Sequence, residues 1–168
     1  MARYLVTGGT GFLGWHLVAA LRRRSHNVFV LTRHPTQDTE VRGDVLEEGL
    51  GLQSQGAPLD QALAGVWHLA ALMDLGQDKD GSVRRTNVEG TANVVRFCQI
   101  LNVPLNYCST AYTLGRNSYE RCKAECEEMI ASALHDYVLY KPSILIADSS
   151  DGDPGSTRGF YQFVGAMA

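Results

Sequence analysis

The chain has 168 residues, of which 45% are hydrophobic and 20% charged, and its formal net charge is −3. This composition is typical of a single soluble globular domain that is long enough to bury a substantial core. The small negative charge gives no reason to expect nucleic acid or an anionic membrane as a partner. No apolar run reaches the length of a membrane span and no apolar leader precedes the first strand, so a cytoplasmic location is expected.

Strand-like and helix-like runs alternate from the first residues onward. The apolar pattern predicts a strand at 3–7, a helix over 11–24, a second strand at 28–32, a third ending near 41–44 and a fourth at 66–69. The predicted buried face of the first helix carries Leu13, Leu17, Ala20 and Leu21. Residues 45–58 are glycine-rich and irregular, and Pro58 favours the start of a brief helix.

The second half of the chain begins with its longest helical pattern, over 81–101. The apolar positions of this helix are Val83, Val94, Phe97, Cys98 and Leu101. Gly90 costs the helix about 1 kcal/mol relative to alanine, which indicates close packing at that position. A fifth strand is predicted at 105–109.

A capping box predicts the start of the last helix, because Asn117 is followed three residues later by Glu120. One stripe of this helix, at 118–134, carries Tyr119, Cys122, Cys126, Met129, Ile130 and Ala133. The sixth strand is predicted over 138–146, interrupted or ended by Pro142. Strands and helices that alternate in this way form an α/β fold, a doubly wound parallel sheet in three layers. Ligands bind such sheets at the carboxyl ends of the strands.

Four cysteines lie in the second half of the chain, at Cys98, Cys108, Cys122 and Cys126. They form no Cys-x-x-Cys pair, and no histidine stands at the spacing of a metal site. We therefore expect small core residues in a reducing compartment and no metal ion. The alternative is that Cys122 and Cys126, which share a helix face, belong to a metal site.

Glycines mark the turn between the first strand and the first helix, in the run Thr7-Gly8-Gly9-Thr10-Gly11-Phe12-Leu13-Gly14. Gly8 permits a tight turn, Gly11 lets the backbone approach a pyrophosphate, and Gly14 lets the helix pack close to the sheet. The helix N-terminus adds amide donors and a positive dipole. Because a strand precedes the motif and a helix follows it, a dinucleotide site is predicted. The alternative is a tight turn without a ligand.

The second strand ends in Thr32-Arg33-His34, without the acidic residue that would bind a free ribose hydroxyl. A guanidinium at Arg33 suits a 2′-phosphate instead. The sequence therefore favours NADP, with NAD as the alternative if Arg33 is only solvated. Asp44, after the third strand, is either a partner for the adenine amine or an ordinary turn aspartate.

Tyr119 and Lys123 stand four residues apart, so a phenol and an ammonium lie on one face of the predicted helix. A cation within about 4–6 Å lowers the pKa of a phenol, which is otherwise near 10. Such a pair can exchange a proton with a reacting oxygen. On its own the spacing indicates only a tyrosine packed beside a solvated lysine, but the glycine loop upstream favours a catalytic pair.

With these motifs the chain resembles the extended short-chain dehydrogenases/reductases. The similarity rests on the loop at 7–14, Gly43-Asp44, His68-Leu69-Ala70-Ala71, Asn87-Val88-Glu89-Gly90-Thr91, Ser109-Thr110-Ala111-Tyr112 and the pair Tyr119 and Lys123. Three segments resemble the male-sterility or thioester-reductase branch, which includes fatty acyl-CoA reductases. They are Cys108-Ser109-Thr110-Ala111-Tyr112, Asn117-Ser118-Tyr119-Glu120, and Lys141-Pro142-Ser143-Ile144 followed by Gly159-Phe160-Tyr161.

The resemblance implies a role for individual residues. Thr110 is expected to hydrogen-bond the substrate oxygen, and Tyr119 to act as general acid/base. Lys123 is expected to perturb Tyr119 and to hold the nicotinamide ribose. Asn87 joins the catalytic set as the family asparagine, either structural or part of a proton relay. The expected cofactor contacts are Gly8, Thr10, Gly11, Phe12, Leu13, Gly14, Arg33, Asp44, Val45, Leu69, Ala70, Ala71, Tyr119, Lys123, Pro142 and Ser143.

The activity that this branch implies is NADPH-dependent reduction of an acyl-CoA or carrier-bound thioester to an aldehyde or alcohol. The alternatives are a sugar-nucleotide epimerase or dehydratase, a hydroxysteroid-type dehydrogenase, and an NAD(P)-binding regulatory module without turnover. The family also implies a homodimer that pairs through the helices at 81–101 and 118–134.

Two features depart from the family pattern. Only nine positions separate Thr110 from Tyr119, where the family has a longer loop, and the chain stops at Ala168, soon after the sixth strand. We expect an NAD(P)-binding domain over 1–147, followed at 148–168 by a loop and the start of a truncated substrate-binding region. Whether the chain is truncated or a degenerate relative is left open by the sequence.

Overall fold

A computed structural model describes residues 1–52 and 62–146. These residues form a sheet of β1 (Arg3–Thr7), β2 (Asn27–Thr32), β3 (Glu40–Arg42), β4 (Gly65–His68), β5 (Leu105–Cys108) and β6 (Tyr137–Tyr140). The strand order is β3-β2-β1-β4-β5-β6, and all neighbouring pairs are parallel. The order reverses between β1 and β4, which is the point where open α/β sheets bind ligands. The predicted fold class is confirmed.

The helices of the described residues are α1 (Phe12–Arg23), α2 (Ser82–Arg84), α3 (Gly90–Leu101) and α4 (Ser118–Ala133). A π-helical turn, Arg85–Glu89, joins α2 to α3, so the single long helix predicted at 81–101 contains a π segment. Such segments widen the helix locally and are frequent at functional sites. A short 3₁₀ turn, Glu48–Gly51, follows β3. None of the helices within the described ranges is both long and apolar enough to cross a membrane.

Alternating residues of β1 supply the cores on the two faces of the sheet. Val6 packs into one core and Leu5 into the other, because successive side chains of a strand point to opposite faces. In the first core Val6 packs with Val18, Leu21, Val28 and Val30, so α1 packs against this face of the sheet. In the second core α3 and α4 pack against the other face, through Leu5, Val66, Val94, Cys98, Leu105, Tyr107, Cys122, Cys126 and Ile130.

Two local predictions are confirmed by specific contacts. The Asn117 side chain accepts a hydrogen bond from the backbone N–H of Glu120 at 2.8 Å, so the predicted cap begins α4. A Cβ atom added to Gly90 would lie 2.9 Å from a methyl carbon of Val45, which shows the close packing expected at that glycine.

Other local predictions were wrong in part. In α1 the predicted Leu21 is buried, together with Gly14 and Val18, whereas Leu13, Leu17 and Ala20 are only partly buried. At the end of α3, Leu101 is exposed rather than buried. The sixth strand does not reach 146 but ends at Tyr140, two residues before Pro142, which agrees with the predicted alternative that Pro142 ends it, since proline has no N–H to extend the ladder. The helix predicted from Pro58 and the region 148–168 lie outside the described residues.

Candidate functional site

The turn after β1 is packed so tightly that it excludes side chains. Gly8 has a φ of +70°, and a Cβ atom there would lie 2.5 Å from the backbone nitrogen of Ala70. A Cβ atom on Gly14 would overlap the carbonyl oxygen of Gly8. Glycine is therefore required at both positions, and the backbones of β1, β4 and α1 meet directly at this turn.

The surroundings of Gly11 are open by comparison. A Cβ atom there would contact only the Gly8 carbonyl oxygen, at 3.3 Å, so this stretch of backbone faces free space. Gly11 is the N-cap of the twelve-residue helix α1, whose first turn has no side-chain cap and no acidic residue. The amides of that turn are thus left for an anion, and this part of the chain fits the pyrophosphate of a dinucleotide.

A buried chain of polar groups supports the turn from within the sheet. Thr7 Oγ1 accepts the Ala70 N–H at 3.2 Å and lies 2.6 Å from His68 Nδ1. On the other side of the ring, His68 Nε2 lies 3.0 Å from Thr91 Oγ1, whose hydroxyl donates to the Asn87 carbonyl at 2.5 Å. Because the hydroxyl hydrogen of Thr91 is already used, Nε2 carries the ring hydrogen and Nδ1 accepts from Thr7. Burial lowers the pKa of His68 to about 3, which agrees with a neutral ring.

Asn87 lies in the π-helical turn and is almost completely buried. Its Oδ1 accepts the backbone N–H of Leu72 at 2.8 Å, and its Nδ2 donates to the Leu72 carbonyl at 2.9 Å. Both ends of the amide are occupied by one residue of the segment after β4. Of the two roles predicted for Asn87, this geometry favours the structural one.

Tyr119 and Lys123 share a face of α4, with Lys123 Nζ 5.7 Å from the centroid of the Tyr119 ring. Lys123 is only 2% exposed. Its ammonium donates to the Cys108 carbonyl at 2.7 Å and to the Tyr107 hydroxyl at 3.2 Å. Burial lowers the pKa of Lys123, and these acceptors at the end of β5 are what stabilise its charge.

The structure does not show the lowered tyrosine pKa that the spacing suggested. Burial raises the pKa of Tyr119 to about 12, and the hydrogen bonds of Lys123 are directed at β5 rather than at the phenol. The Tyr119 hydroxyl makes no hydrogen bond to any of the described residues. In this arrangement the phenol is protonated at neutral pH and is available as a proton donor.

Thr110 follows the end of β5 and is 7% exposed. Its Oγ1 accepts the backbone N–H of Tyr112 at 3.1 Å, which leaves its own hydroxyl hydrogen free to be donated. The residues on either side are hydrogen-bonded to the last residue of β6 and to the segment after it: Ser109 N–H donates to the Tyr140 carbonyl and Ala111 N–H to the Pro142 carbonyl, both at 2.8 Å.

The remaining predicted cofactor residues also follow the carboxyl ends of strands. Arg33 is exposed directly after β2. The Asp44 carboxylate, after β3, accepts the Leu46 N–H at 2.9 Å, as a turn aspartate does, and Val45 is buried in the core. Leu69, Ala70 and Ala71 follow β4, and Pro142 and Ser143 follow β6. The structure thus brings the predicted residues to one edge of the sheet, and their contacts with a cofactor stay predictions.

Four polar residues of this region were given no chemical role in the sequence analysis, although two of them stand in segments that carry the family resemblance: His68, Thr91, Tyr107 and Glu127. For Glu127 a signal exists, because it stands one helical turn after Lys123 and two after Tyr119. For the other three the partners lie on different strands and helices, and no local pattern indicates them.

Loops at this edge also carry an apolar rim. The loop after β4 meets the start of α4 where Asp78 N–H donates to Ser118 Oγ at 3.3 Å. Exposed apolar side chains stand on the segments after β4, β5 and β6: Met73, Leu75, Tyr112, Leu114, Ile144, Leu145 and Ile146. We refer to these seven residues as the apolar rim.

Comparison with known proteins adds a family match. The model of the NAD dependent epimerase/dehydratase family matches residues 4–141. Among curated relatives, the rat 3 beta-hydroxysteroid dehydrogenase type 7 is 35% identical over 133 residues, which covers 68% of this chain and 37% of the relative. The chain spans about a third of the length of the curated relatives that it matches.

Solved structures show the same fold. The thiolation-reductase di-domain of an archaeal non-ribosomal peptide synthetase superposes with a TM-score of 0.82 at 18% identity, covering 99% of this chain and 58% of the other. MoeE5, solved in complex with UDP-glucuronic acid and NAD, superposes with a TM-score of 0.64 at 25% identity, covering 84% and 53%.

Proposed function

Because the chain belongs to the NAD dependent epimerase/dehydratase family of extended short-chain dehydrogenases/reductases, we propose that it is an NAD(P)-dependent oxidoreductase acting on a secondary alcohol or ketone of a largely apolar substrate. The observation that carries this proposal is the buried Lys123 held at the end of β5 beside Tyr119. This pair lies at the same edge of the sheet as the glycine turn.

The residues of the chain supply the proton chemistry of such a reaction, and a bound nicotinamide would supply or accept the hydride. Tyr119, protonated at neutral pH, donates its proton to the carbonyl oxygen as the alcohol forms. Thr110 donates a second hydrogen bond to the same oxygen and stabilises its developing charge. Lys123 stabilises the phenolate that Tyr119 becomes. In the oxidative direction the same groups act in reverse.

The apolar rim supports a substrate with a large apolar surface. A nucleotide diphosphate would require free cations near the same opening. Of the cations on the described segments after β4, β5 and β6, Arg116 pairs with Glu120 and Lys141 pairs with Glu127. Lys79 is thus the one cation of these segments outside such an ion pair, which does not favour a nucleotide diphosphate. The match to rat 3 beta-hydroxysteroid dehydrogenase type 7 agrees with an apolar alcohol.

A thioester is the second candidate substrate. It is favoured by the segments at 108–112 and 141–144 that resemble thioester reductases, and by a superposition on a reductase di-domain that covers 99% of this chain. In that case the same donors, Tyr119 and Thr110, would stabilise the oxyanion while the thiol leaves.

A substrate panel distinguishes these proposals. Purified protein is mixed with NADPH or NADH and, separately, with a 3-ketosteroid, a long-chain acyl-CoA and a UDP-sugar, and cofactor oxidation is followed by absorbance. We expect oxidation with the ketosteroid. Oxidation with the acyl-CoA alone would select the second candidate, and a UDP-sugar converted without net cofactor oxidation would select an epimerase. Cofactor binding without turnover of any of the three would contradict the proposal.

Arg33 is proposed to select NADP, because it stands exposed where β2 ends. We expect Arg33→Ala to weaken NADPH binding about 10–100-fold, the loss of a charge-assisted hydrogen bond, and NADH binding by less than about twofold. Fluorescence titration measures both affinities. Arg23→Ala, which removes an exposed arginine from the last turn of α1, is the matched control. Equal weakening of both cofactors by Arg33→Ala would refute the assignment.

A further inference from the structure

A mostly shielded carboxylate joins three elements behind the site. Glu127 of α4 has a side chain that is 17% exposed. Its Oε1 accepts a hydrogen bond from the Ser109 hydroxyl, directly after β5, and its Oε2 lies 2.8 Å from the ammonium of Lys141, directly after β6. We call Glu127, Ser109 and Lys141 the Glu127 cluster. A shielded carboxylate needs such donors, so the three side chains hold one another in place.

The Glu127 cluster holds the chain on one side of Thr110, and a backbone hydrogen bond holds it on the other side. The Ser109 hydroxyl donates a hydrogen bond to Glu127, and the Ser109 N–H donates to the Tyr140 carbonyl. The Ala111 N–H donates to the carbonyl of Pro142, the residue after Lys141. Thr110 therefore has little freedom to move without breaking one of these hydrogen bonds.

The position of Glu127 in α4 relates Thr110 to the acid/base pair. Tyr119, Lys123 and Glu127 follow one another at intervals of four residues, so their side chains lie along one face of the helix. Helix α4 thus carries Tyr119 and also, through Glu127, holds the segment after β5 that carries Thr110.

We propose that Glu127 is a positioning residue, which through Ser109 sets the place of the Thr110 hydroxyl relative to the phenol of Tyr119. The inference rests on the proposed function and adds to it a residue that contacts neither substrate nor cofactor. Two donors to one carbonyl oxygen must be placed accurately, since a misplacement of about 1 Å costs about a hundredfold in rate.

The two partners of Glu127 contribute unequally. Lys141 is 43% exposed, and ion pairs with exposed lysines contribute little. Ser109 is 3% exposed, so its hydroxyl cannot turn to water when the carboxylate is lost. Glu127→Gln keeps an acceptor for Ser109 and loses only the charge, whereas Glu127→Ala loses both.

The test compares Glu127→Ala, Glu127→Gln and Ser109→Ala with Glu128→Ala, which removes an exposed carboxylate from the next position of the same helix. We expect Glu127→Ala and Ser109→Ala to lower kcat about tenfold or more, with cofactor Kd within about twofold of wild type. The kcat of Glu127→Gln should stay within about threefold of wild type, and the kcat of Glu128→Ala within about twofold of wild type. The double variant of Ser109 and Glu127 should be no slower than the worse single variant.

A second measurement does not depend on turnover. The methyl resonance of Thr110, assigned by its loss in Thr110→Val, should shift in Glu127→Ala and stay in place in Glu128→Ala. If the Thr110 resonance does not shift in Glu127→Ala, the inference is overturned. It is also overturned if the resonance shifts but the kcat of Glu127→Ala is as close to wild type as that of Glu128→Ala. A wild-type protein without turnover, together with a shifted resonance in Glu127→Ala, would refute the proposed function and leave the positioning of Thr110 supported.

Discussion

Replacing Tyr119 by phenylalanine is expected to lower kcat by about 10²–10⁴-fold while cofactor affinity changes little. The substitution removes only the hydroxyl, and the ring stays packed against the core that contains Cys122 and Cys126. Because the hydroxyl makes no hydrogen bond to the described residues, its loss leaves no buried partner unsatisfied. The effect should therefore fall on the proton transfer and not on folding.

Steady-state kinetics with the accepted substrate and fluorescence titration of the cofactor measure the two quantities separately. Tyr137→Phe is the matched control, since it removes a phenolic hydroxyl where β6 begins, at the opposite edge of the sheet. If Tyr119→Phe kept kcat within about threefold of wild type, the general-acid role would be excluded. A variant that bound cofactor at least tenfold more weakly would instead indicate that the hydroxyl serves binding.

Much of the fold follows from local sequence patterns. Short apolar runs that alternate with helical periodicity predict the parallel, doubly wound class of the sheet, and Asn117 with Glu120 marks the start of α4. The requirement for glycine at Gly8 and Gly14 could also be predicted, because the motif encodes a backbone contact rather than a side-chain preference.

The errors arise where local patterns are ambiguous. The run Ser143-Ile144-Leu145-Ile146 has the composition of a strand, yet β6 ends at Tyr140 and the three apolar side chains are exposed. In α1 apolar residues occur on more than one face, so periodicity alone could not select Val18 over Leu17. Which face is buried depends on the sheet beneath the helix, and that information is not local.

The polar supports of the site are the part that the sequence could not predict. His68 contacts Thr7, 61 positions away, and Ser109 contacts Glu127, 18 positions away. The same limit explains the tyrosine pKa. The spacing of Tyr119 and Lys123 was right, but the ammonium is directed by Cys108 and Tyr107 of β5, which a helix pattern cannot show.

Lys123 provides the second large expected effect. The residue is 2% exposed, and its ammonium donates to the Cys108 carbonyl and the Tyr107 hydroxyl and lies 4.6 Å from the centroid of the Tyr107 ring. Methionine has a similar length and no charge, so Lys123→Met fills the same space. The loss of a buried charge is tolerated in an apolar environment, but Cys108 loses its donor, so a moderate fall in melting temperature is expected as well.

We expect Lys123→Met to lower kcat about a hundredfold or more, because no cation remains to stabilise the phenolate of Tyr119. The sign of the pH effect follows from the same charge. A cation beside a phenol favours the ionised form, so its removal raises the pKa of Tyr119 further. In the oxidative direction, where Tyr119 must accept a proton, the rise of kcat with pH should therefore move to higher pH in the variant.

The measurement is the pH profile of kcat in the oxidative direction, together with cofactor affinity and melting temperature. Arg96→Met, which removes an exposed cation from α3, is the control for charge and should leave all three within error of wild type. A Lys123→Met protein that melts earlier but keeps the wild-type pH profile would show that Lys123 only supports the fold. In the mechanism proposed for this chain the shift must appear, because Lys123 is the only described cation whose ammonium lies over the Tyr119 ring.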